Sequence, residues 1–183
     1  EMNTALNIKK AFFIDAPVSG GEKGAISGEL SIMVGGDKNA FKKIKHILSI
    51  LGKKITYIGT SGSGQICKAC NQILVAQTIH SISQIIGIAV KAKIKPGIIR
   101  KALLGGYANS KILEIHGERM IKSDYKPGFK LSLHNKDLKI AKSLIKTLGL
   151  NFKSLNEVQK IMNKAENDGY SELDSSIIHR ILE

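Results

Sequence analysis

Gly59-Thr60-Ser61-Gly62-Ser63-Gly64, followed by Gln65-Ile66-Cys67-Lys68-Ala69-Cys70-Asn71-Gln72 and on to Lys91, decides how the rest of the chain is read. The first six residues are glycine and small hydroxyl side chains, which read as a flexible loop. From Gln65 to Lys91 there is no Pro and a single Gly, so the segment predicts one helix about 40 Å long. It is apolar over most of its surface, and a helix so apolar must be covered on nearly all sides. Lys68, Asn71, Gln72, Gln77, His80 and Gln84 interrupt the apolar run. No stretch reaches about 18 uninterrupted apolar residues, so no membrane span is predicted.

Upstream of this stretch the pattern is mixed. Ala11 to Val18 is an apolar, aromatic run that predicts a buried strand, with Ser19-Gly20-Gly21 as the loop after it. Leu30 to Val34 predicts a second strand closed by Gly35 and Gly36. Asp37 is placed to cap a helix with Ala40, Phe41, Ile44, Ile47, Leu48 and Leu51 at helical spacing, and Gly52 sits at its end as a C′ glycine. Lys54 to Ile58 predicts a third strand. Strands separated by a helix read as the end of an α/β sheet. Downstream, helices are predicted from Pro96 to Leu104, from Asn109 to Ile121 and from Lys136 to Leu148. Another runs from a Ser154/Glu157 capping box to about Asn167, and a last short one is capped by Asp174. The fold class is therefore an α/β remnant followed by an all-α domain with a long central helix, with the boundary near residue 60.

Composition narrows the function. The 183 residues carry 28 Lys plus Arg against 15 Asp plus Glu, a formal net charge of +13. Such a balance invites a nucleic-acid reading. Yet Arg occurs only at Arg100, Arg119 and Arg180, and Lys is spread along the chain, so a solvated, codon-biased surface is the better reading and a nucleic-acid partner is not expected. Two cysteines exclude a disulfide-stapled secreted scaffold. Glu1 to Lys10 lacks the apolar core of a signal peptide, and a cytoplasmic location is expected. The chain opens on Glu1-Met2, which is read as the mark of a fragment.

Several residues could carry chemistry. Ser19-Gly20-Gly21 exposes backbone N–H groups that can cradle a carboxylate or phosphate, although a plain turn is also consistent. Gly62-Ser63-Gly64 fails the dinucleotide fingerprint because the sixth position is Cys67. Lys68, near the positive end of the long helix, gains a reason to lose its proton and would suit a general acid/base; Asn71 shares its face. Cys67 and Cys70 form a C-x-x-C that reads as a rival redox pair or as ordinary packing. Lys136 is a second cation at a helix start, which an anionic ligand would explain. Ser123 to Lys126 matches S-x-x-K, but Lys126 precedes Pro127 and so falls outside a helix. The five His show no metal-ligand spacing, and no metal is expected.

Taken in order, these segments resemble the 3-hydroxyisobutyrate dehydrogenase family of β-hydroxyacid dehydrogenases, to which the 2-hydroxy-3-oxopropionate reductases belong. Asp15 to Gly21 resembles the substrate-binding signature, continued by Gly24-Ala25, Gly28 to Leu30 and Met33 to Gly36. Gly62 to Asn71 resembles the catalytic-lysine motif. Lys136 to Leu138 resembles the last motif, on the cofactor side, and Asp168-Gly169 with Asp174-Ser175 resembles the C-terminal tail. The resemblance implies that Ser19, Gly20 and Gly21 hold the substrate carboxylate. Lys68 would be the acid/base, Asn71 would orient substrate, and Lys136 would lie near NAD or NADP. Gln72 stands where dehydrogenase members often carry a second Asn, which leans toward the reductases. The resemblance also implies residues 1–60 as the C-terminal part of an NAD(P)-binding Rossmann domain and 61–183 as an all-α substrate and dimerisation domain. The family opens with a Gly-rich βαβ unit that these residues lack, so poor dinucleotide binding by this chain alone is expected. The expected activity is NAD(P)-dependent interconversion of a small hydroxy acid and its semialdehyde or oxo acid, in a homo-oligomeric dimer or tetramer. The alternatives are a non-catalytic helical interaction module and a C-x-x-C redox protein.

Overall fold

The structure, a computed structural model, describes residues 4, 6 and 11–182, so most of the stretch read above for a signal peptide lies outside the described residues. The chain forms two compact units, Glu1–Asn71 and Gln72–Glu183.

The first unit is built on a small sheet. Its described strands are β1 (Ile14–Asp15), β2 (Val18–Ser19), β3 (Ser31–Gly36) and β4 (Lys54–Gly59). β3 and β4 are parallel and are joined by helix α2 (Lys38–Leu51), a β-α-β unit as the alternation predicts. β1 and β2 pair antiparallel with β3 in one continuing register: Ile14 and Asp15 face Gly36 and Gly35, then Val18 and Ser19 face Ile32 and Ser31. The single strand predicted from Ala11 is thus divided at Ala16-Pro17, where Pro17 has no N–H to give to the ladder. Pro17 still accepts, from Met33 N–H at 3.0 Å. Nor is this run buried as predicted: Phe12 and Val18 are exposed, and Asp15 is its buried residue.

Gly35 and Gly36 lie inside β3 instead of closing it. A Cβ on Gly36 would stand 2.6 Å from Ile14 Cδ1, so the close approach of β1 demands a glycine there. Asp37 caps α2 as expected, accepting from Ala40 N–H at 2.7 Å. Gly52 ends that helix with extended backbone (φ −159°), not the left-handed turn predicted. It must be glycine because a Cβ would run into the Leu30 carbonyl. The core is Leu30, Ile32, Val34 and Phe41, with Phe41 stacked on Tyr57 at 5.4 Å between centroids.

The turn at Ser19 leads into a six-residue helix, α1 (Gly21–Ile26), for which no element was predicted beyond the Ser19-Gly20-Gly21 loop; it buries no residue. Two glycines in six residues conceal it from propensity.

Helix α3 (Ser63–Lys91) runs through the division between the units. The second unit adds α4 (Pro96–Leu104), α5 (Lys111–Ile121), α6 (Leu131–Thr147), α7 (Lys153–Asn167), a 3-10 turn (Ser175–Ile178) and α8 (His179–Leu182). Ile79, Leu131, Leu138, Leu155, Val158, Met162, Ile177 and Ile178 form its core. By length and composition α3 could cross a membrane, but Ala76, Ile79, Ile82, Ile86 and Ala89 pack inside this unit instead. The prediction that α3 is covered on nearly all sides fails: Leu74 is 69% and Ile88 65% exposed.

Two helix starts differ from the prediction for physical reasons. α6 begins at Leu131, not Lys136. Its first amides are satisfied from far along the chain, Leu131 N–H by Leu173 O (2.8 Å) and Ser132 N–H by Ser171 O (3.1 Å), so no local cap marks the start. α7 begins at Lys153 with no side-chain cap, which leaves Ser154 inside the helix and the capping box unformed. Asp174 does cap the last turn, accepting from Ser176 N–H at 3.1 Å.

Candidate active site

Everything begins at the end of the β1–β2 run. Val18 and Ser19 lie on the sheet, and the chain then turns through Gly20 (φ 141°) and Gly21 (φ 61°). Both angles are ones that L side chains rarely adopt, so this Gly-Gly pair is needed for the turn itself. The turn is exposed at both glycines and half-buried at Ser19.

The long helix brings its lysine to this turn. Lys68 Nζ donates to the Val18 carbonyl at 2.9 Å, one residue before Ser19. The two features marked separately in the sequence, the Ser-Gly-Gly turn and the lysine, therefore meet. Asn71 follows Lys68 by three residues on the same helix and is half-buried, so the two share a face. The reason offered for Lys68, the helix dipole, does not hold. α3 starts at Ser63, which makes Lys68 the sixth residue, and the dipole effect is confined to the first turn.

What sequence reasoning missed is Asp15. Its side chain is 5% exposed, and its carboxylate accepts from Gly62 N–H at 2.6 Å and from Gln65 N–H at 3.1 Å. These are amides at the N-terminal end of α3, where the helix offers no internal acceptor. The sequence signal was a carboxylate inside an apolar run, AFFIDAPV, where a charge needs a partner. The contact is close enough to require glycines: a Cβ on Gly35 would lie 2.7 Å from both Asp15 carboxylate oxygens and 2.8 Å from Gly64 N.

Cys67 and Cys70 are free thiols, Cys67 half-buried and Cys70 exposed. Cys67 is the fifth residue of α3, past the first turn where a redox pair gains its reactivity. Among the described residues no group of His, Cys, Asp or Glu could hold a metal ion.

Lys136 belongs to the second unit. It is the sixth residue of α6, so it is not the cation at a helix start that was predicted, and the helix dipole gives no reason for an anionic ligand there. Its ammonium is 3.2 Å from Asp137 Oδ1, and its side chain is 61% exposed. Asp137 Oδ2 in turn accepts from Gln72 Nε2 at 2.8 Å, and the buried His134 Nε2 lies 3.2 Å from the Gln72 carbonyl. That carbonyl can only accept, so the imidazole proton is assigned to Nε2. The sequence hinted at this polar cluster only through Gln72 interrupting an apolar run.

A family model described as the NAD-binding domain of NADP-dependent 3-hydroxyisobutyrate dehydrogenase matches residues 62–182. Another, the NAD-binding domain of 6-phosphogluconate dehydrogenase, matches residues 1–59. The chain is 48% identical over 171 residues to 2-hydroxy-3-oxopropionate reductase of Escherichia coli (strain K12), covering 93% of this chain and 59% of that protein. It is 35% identical over its full length to the probable 3-hydroxyisobutyrate dehydrogenase-like 1, mitochondrial, of Arabidopsis thaliana, of which it covers 54%. Among solved structures, a 3-hydroxyisobutyrate dehydrogenase from Salmonella typhimurium superposes with a TM-score of 0.87 at 26% identity, over 98% of this chain and 64% of that one. One from Mycobacterium tuberculosis, with L-serine, gives 0.86 at 29% identity, over 93% and 60%. The chain thus spans about half the length of the curated relatives it matches.

Proposed function

The chain belongs to the 3-hydroxyisobutyrate dehydrogenase family, and from that membership we propose an NAD(P)-dependent oxidoreductase that interconverts a small hydroxy acid and its semialdehyde, of the 2-hydroxy-3-oxopropionate type. The observation that carries the proposal is the Lys68 ammonium at 2.9 Å from the Val18 carbonyl, beside the Ser19-Gly20-Gly21 turn. An acid/base group at the edge of an anion-binding turn is what a short substrate with a carboxylate at one end and a carbonyl at the other requires. In this reading the Ser19 hydroxyl and the N–H groups of the turn hold the carboxylate. Lys68 gives a proton to the carbonyl oxygen as the alcohol forms and regains one from solvent; in the oxidative direction it takes the hydroxyl proton. Asn71 orients the substrate from the same helix face.

Two features, taken separately, support a nicotinamide dinucleotide as the cofactor of the full-length protein. β3 reaches Gly35 and Gly36 at the carboxyl edge of its parallel pairing with β4, the edge at which doubly wound sheets hold dinucleotides. Lys136 offers an exposed ammonium on α6. A bound reduced nicotinamide supplies the hydride. In the same proposal residues 1–60 are the end of the cofactor domain and 61–183 the all-α domain. The exposed Leu74 and Ile88 of α3 support assembly as a homo-oligomer.

The test is an assay of the full-length protein with NADH and NADPH against 2-hydroxy-3-oxopropionate and the semialdehyde of 3-hydroxyisobutyrate. The 48% identity, and Gln72 in place of a second Asn, favour the first substrate by at least about tenfold in kcat/KM, a difference of about 1.4 kcal/mol. Absence of nicotinamide oxidation with both substrates removes the proposal.

A further inference from the structure

We propose that Asp15 is the positioning residue for Lys68, its buried carboxylate gripping the first turn of the long helix and so fixing where the lysine ammonium meets the Ser19-Gly20-Gly21 turn. The inference rests on the acid/base reading of Lys68 given above. Two rungs join the β1–β2 run to the same helix. Asp15 at the end of β1 accepts from Gly62 and Gln65 N–H at 2.6 and 3.1 Å, and Val18 at the start of β2, three residues along the chain, accepts from Lys68, three residues along the helix from Gln65. A flexible four-carbon side chain would not by itself hold the helix; the carboxylate rung is short, buried and made to rigid backbone.

The surroundings are shaped for this contact. Gly35 and Gly64 both lack the Cβ that would displace the carboxylate, at 2.7 and 2.8 Å from its oxygens, and Gly64 N lies 2.8 Å from the site of a Gly35 Cβ. Strand, carboxylate and helix start therefore pack with no side chain between them. Without the Asp15 rung the N–H groups of Gly62 and Gln65, at the start of α3, lose their acceptor. Lys68 then reaches the turn only through its own long side chain, and small misplacements of a catalytic group carry large rate penalties.

The number of acceptor oxygens supplies the experiment. Asp15 offers one oxygen to each N–H, whereas Asn keeps one oxygen and turns an amide donor toward the other N–H, and Ala keeps neither. In the full-length protein Asp15→Ala is expected to lower kcat about tenfold to a hundredfold with a smaller change in KM, and Asp15→Asn to fall between Asp15→Ala and wild type. Lys68 modification by an amine reagent, read by mass spectrometry, should be several-fold faster in Asp15→Ala than in wild type, and unchanged at the exposed Lys42 on α2. Gln65→Pro is the second variant, should Asp15→Ala fail to fold. It removes one of the two donors at the third residue of α3, whose N–H has no acceptor within the helix, and a loss of kcat in the same direction is expected. A folded Asp15→Ala, or Gln65→Pro in its place, with wild-type kcat and wild-type Lys68 modification overturns the inference. Lys68→Ala assayed alongside separates the two levels. If it leaves turnover intact the acid/base reading fails, whereas if it abolishes turnover and the Asp15 series is silent, the positioning role alone fails.

Discussion

Asp174 shows how much a single residue can organise without touching the candidate site. Its carboxylate accepts from the Gly128, Phe129 and Ser176 amides, each at 3.1 Å, and from the Ser176 hydroxyl at 2.7 Å. It also pairs with Arg119 at 2.7 Å and His116 at 3.2 Å. Burial works to raise its pKa, but the hydrogen bonds from His116 and Ser176 and the charge of His116 outweigh burial and hold it well below the usual carboxylate range. A folded-state pKa below the unfolded one adds stability in full above the ordinary carboxylate pKa of about 4, and that stability is lost as pH falls below it. Urea unfolding at a series of pH values is therefore expected to show stability dropping below about pH 4. Asp174→Ala should lose about 3–5 kcal/mol at neutral pH and flatten that drop; a variant as stable as wild type would show that the network is not a stability centre. The capping role of Asp174 was legible from its neighbours in sequence. Its partners on α5 and in the Gly128-Phe129 loop were not, because nothing local records which distant amides a buried carboxylate will satisfy. Asp15 was obscure for the same reason.

Helix α3 carries the lesson at the scale of elements. Its existence and extent were plain from 27 residues without Pro, but its surroundings were not. Apolar residues all round imply cover all round only when everything that covers the helix is at hand, and here one face is packed and another is open. Ile79 is fully buried, whereas Leu74 is mostly exposed. Ile79→Ala is expected to cost about 2–5 kcal/mol of stability at any protein concentration. Leu74→Asp should leave monomer stability within about 0.5 kcal/mol and weaken self-association in sedimentation. Equal losses from both substitutions in the dissociated chain would contradict the assignment of faces. The helix starts were the least legible features. Lys68 and Lys136 were singled out as cations at helix ends, yet each is a sixth residue. Lys68 drew notice for the wrong reason, and what supports it is its contact with Val18.

Over the whole molecule, the β3-α2-β4 unit followed by helices was readable because its periodicities change cleanly at the glycine-rich loop near residue 60. The site was readable in part. Turn and lysine each had a chemical signature, but their meeting needed the fold, since Val18 and Lys68 are 50 residues apart in the chain. Family membership, the NAD-binding description of the matching models and the lysine beside the Ser19-Gly20-Gly21 turn are what support the proposed hydroxyacid oxidoreduction. That account turns on Lys68 as the group that moves the proton. The direct test is kcat of Lys68→Ala against wild type in the full-length protein, with circular dichroism to confirm that the fold is kept. A loss of about a hundredfold to ten-thousandfold in kcat is predicted; a folded variant that turns over at the wild-type rate would contradict the account.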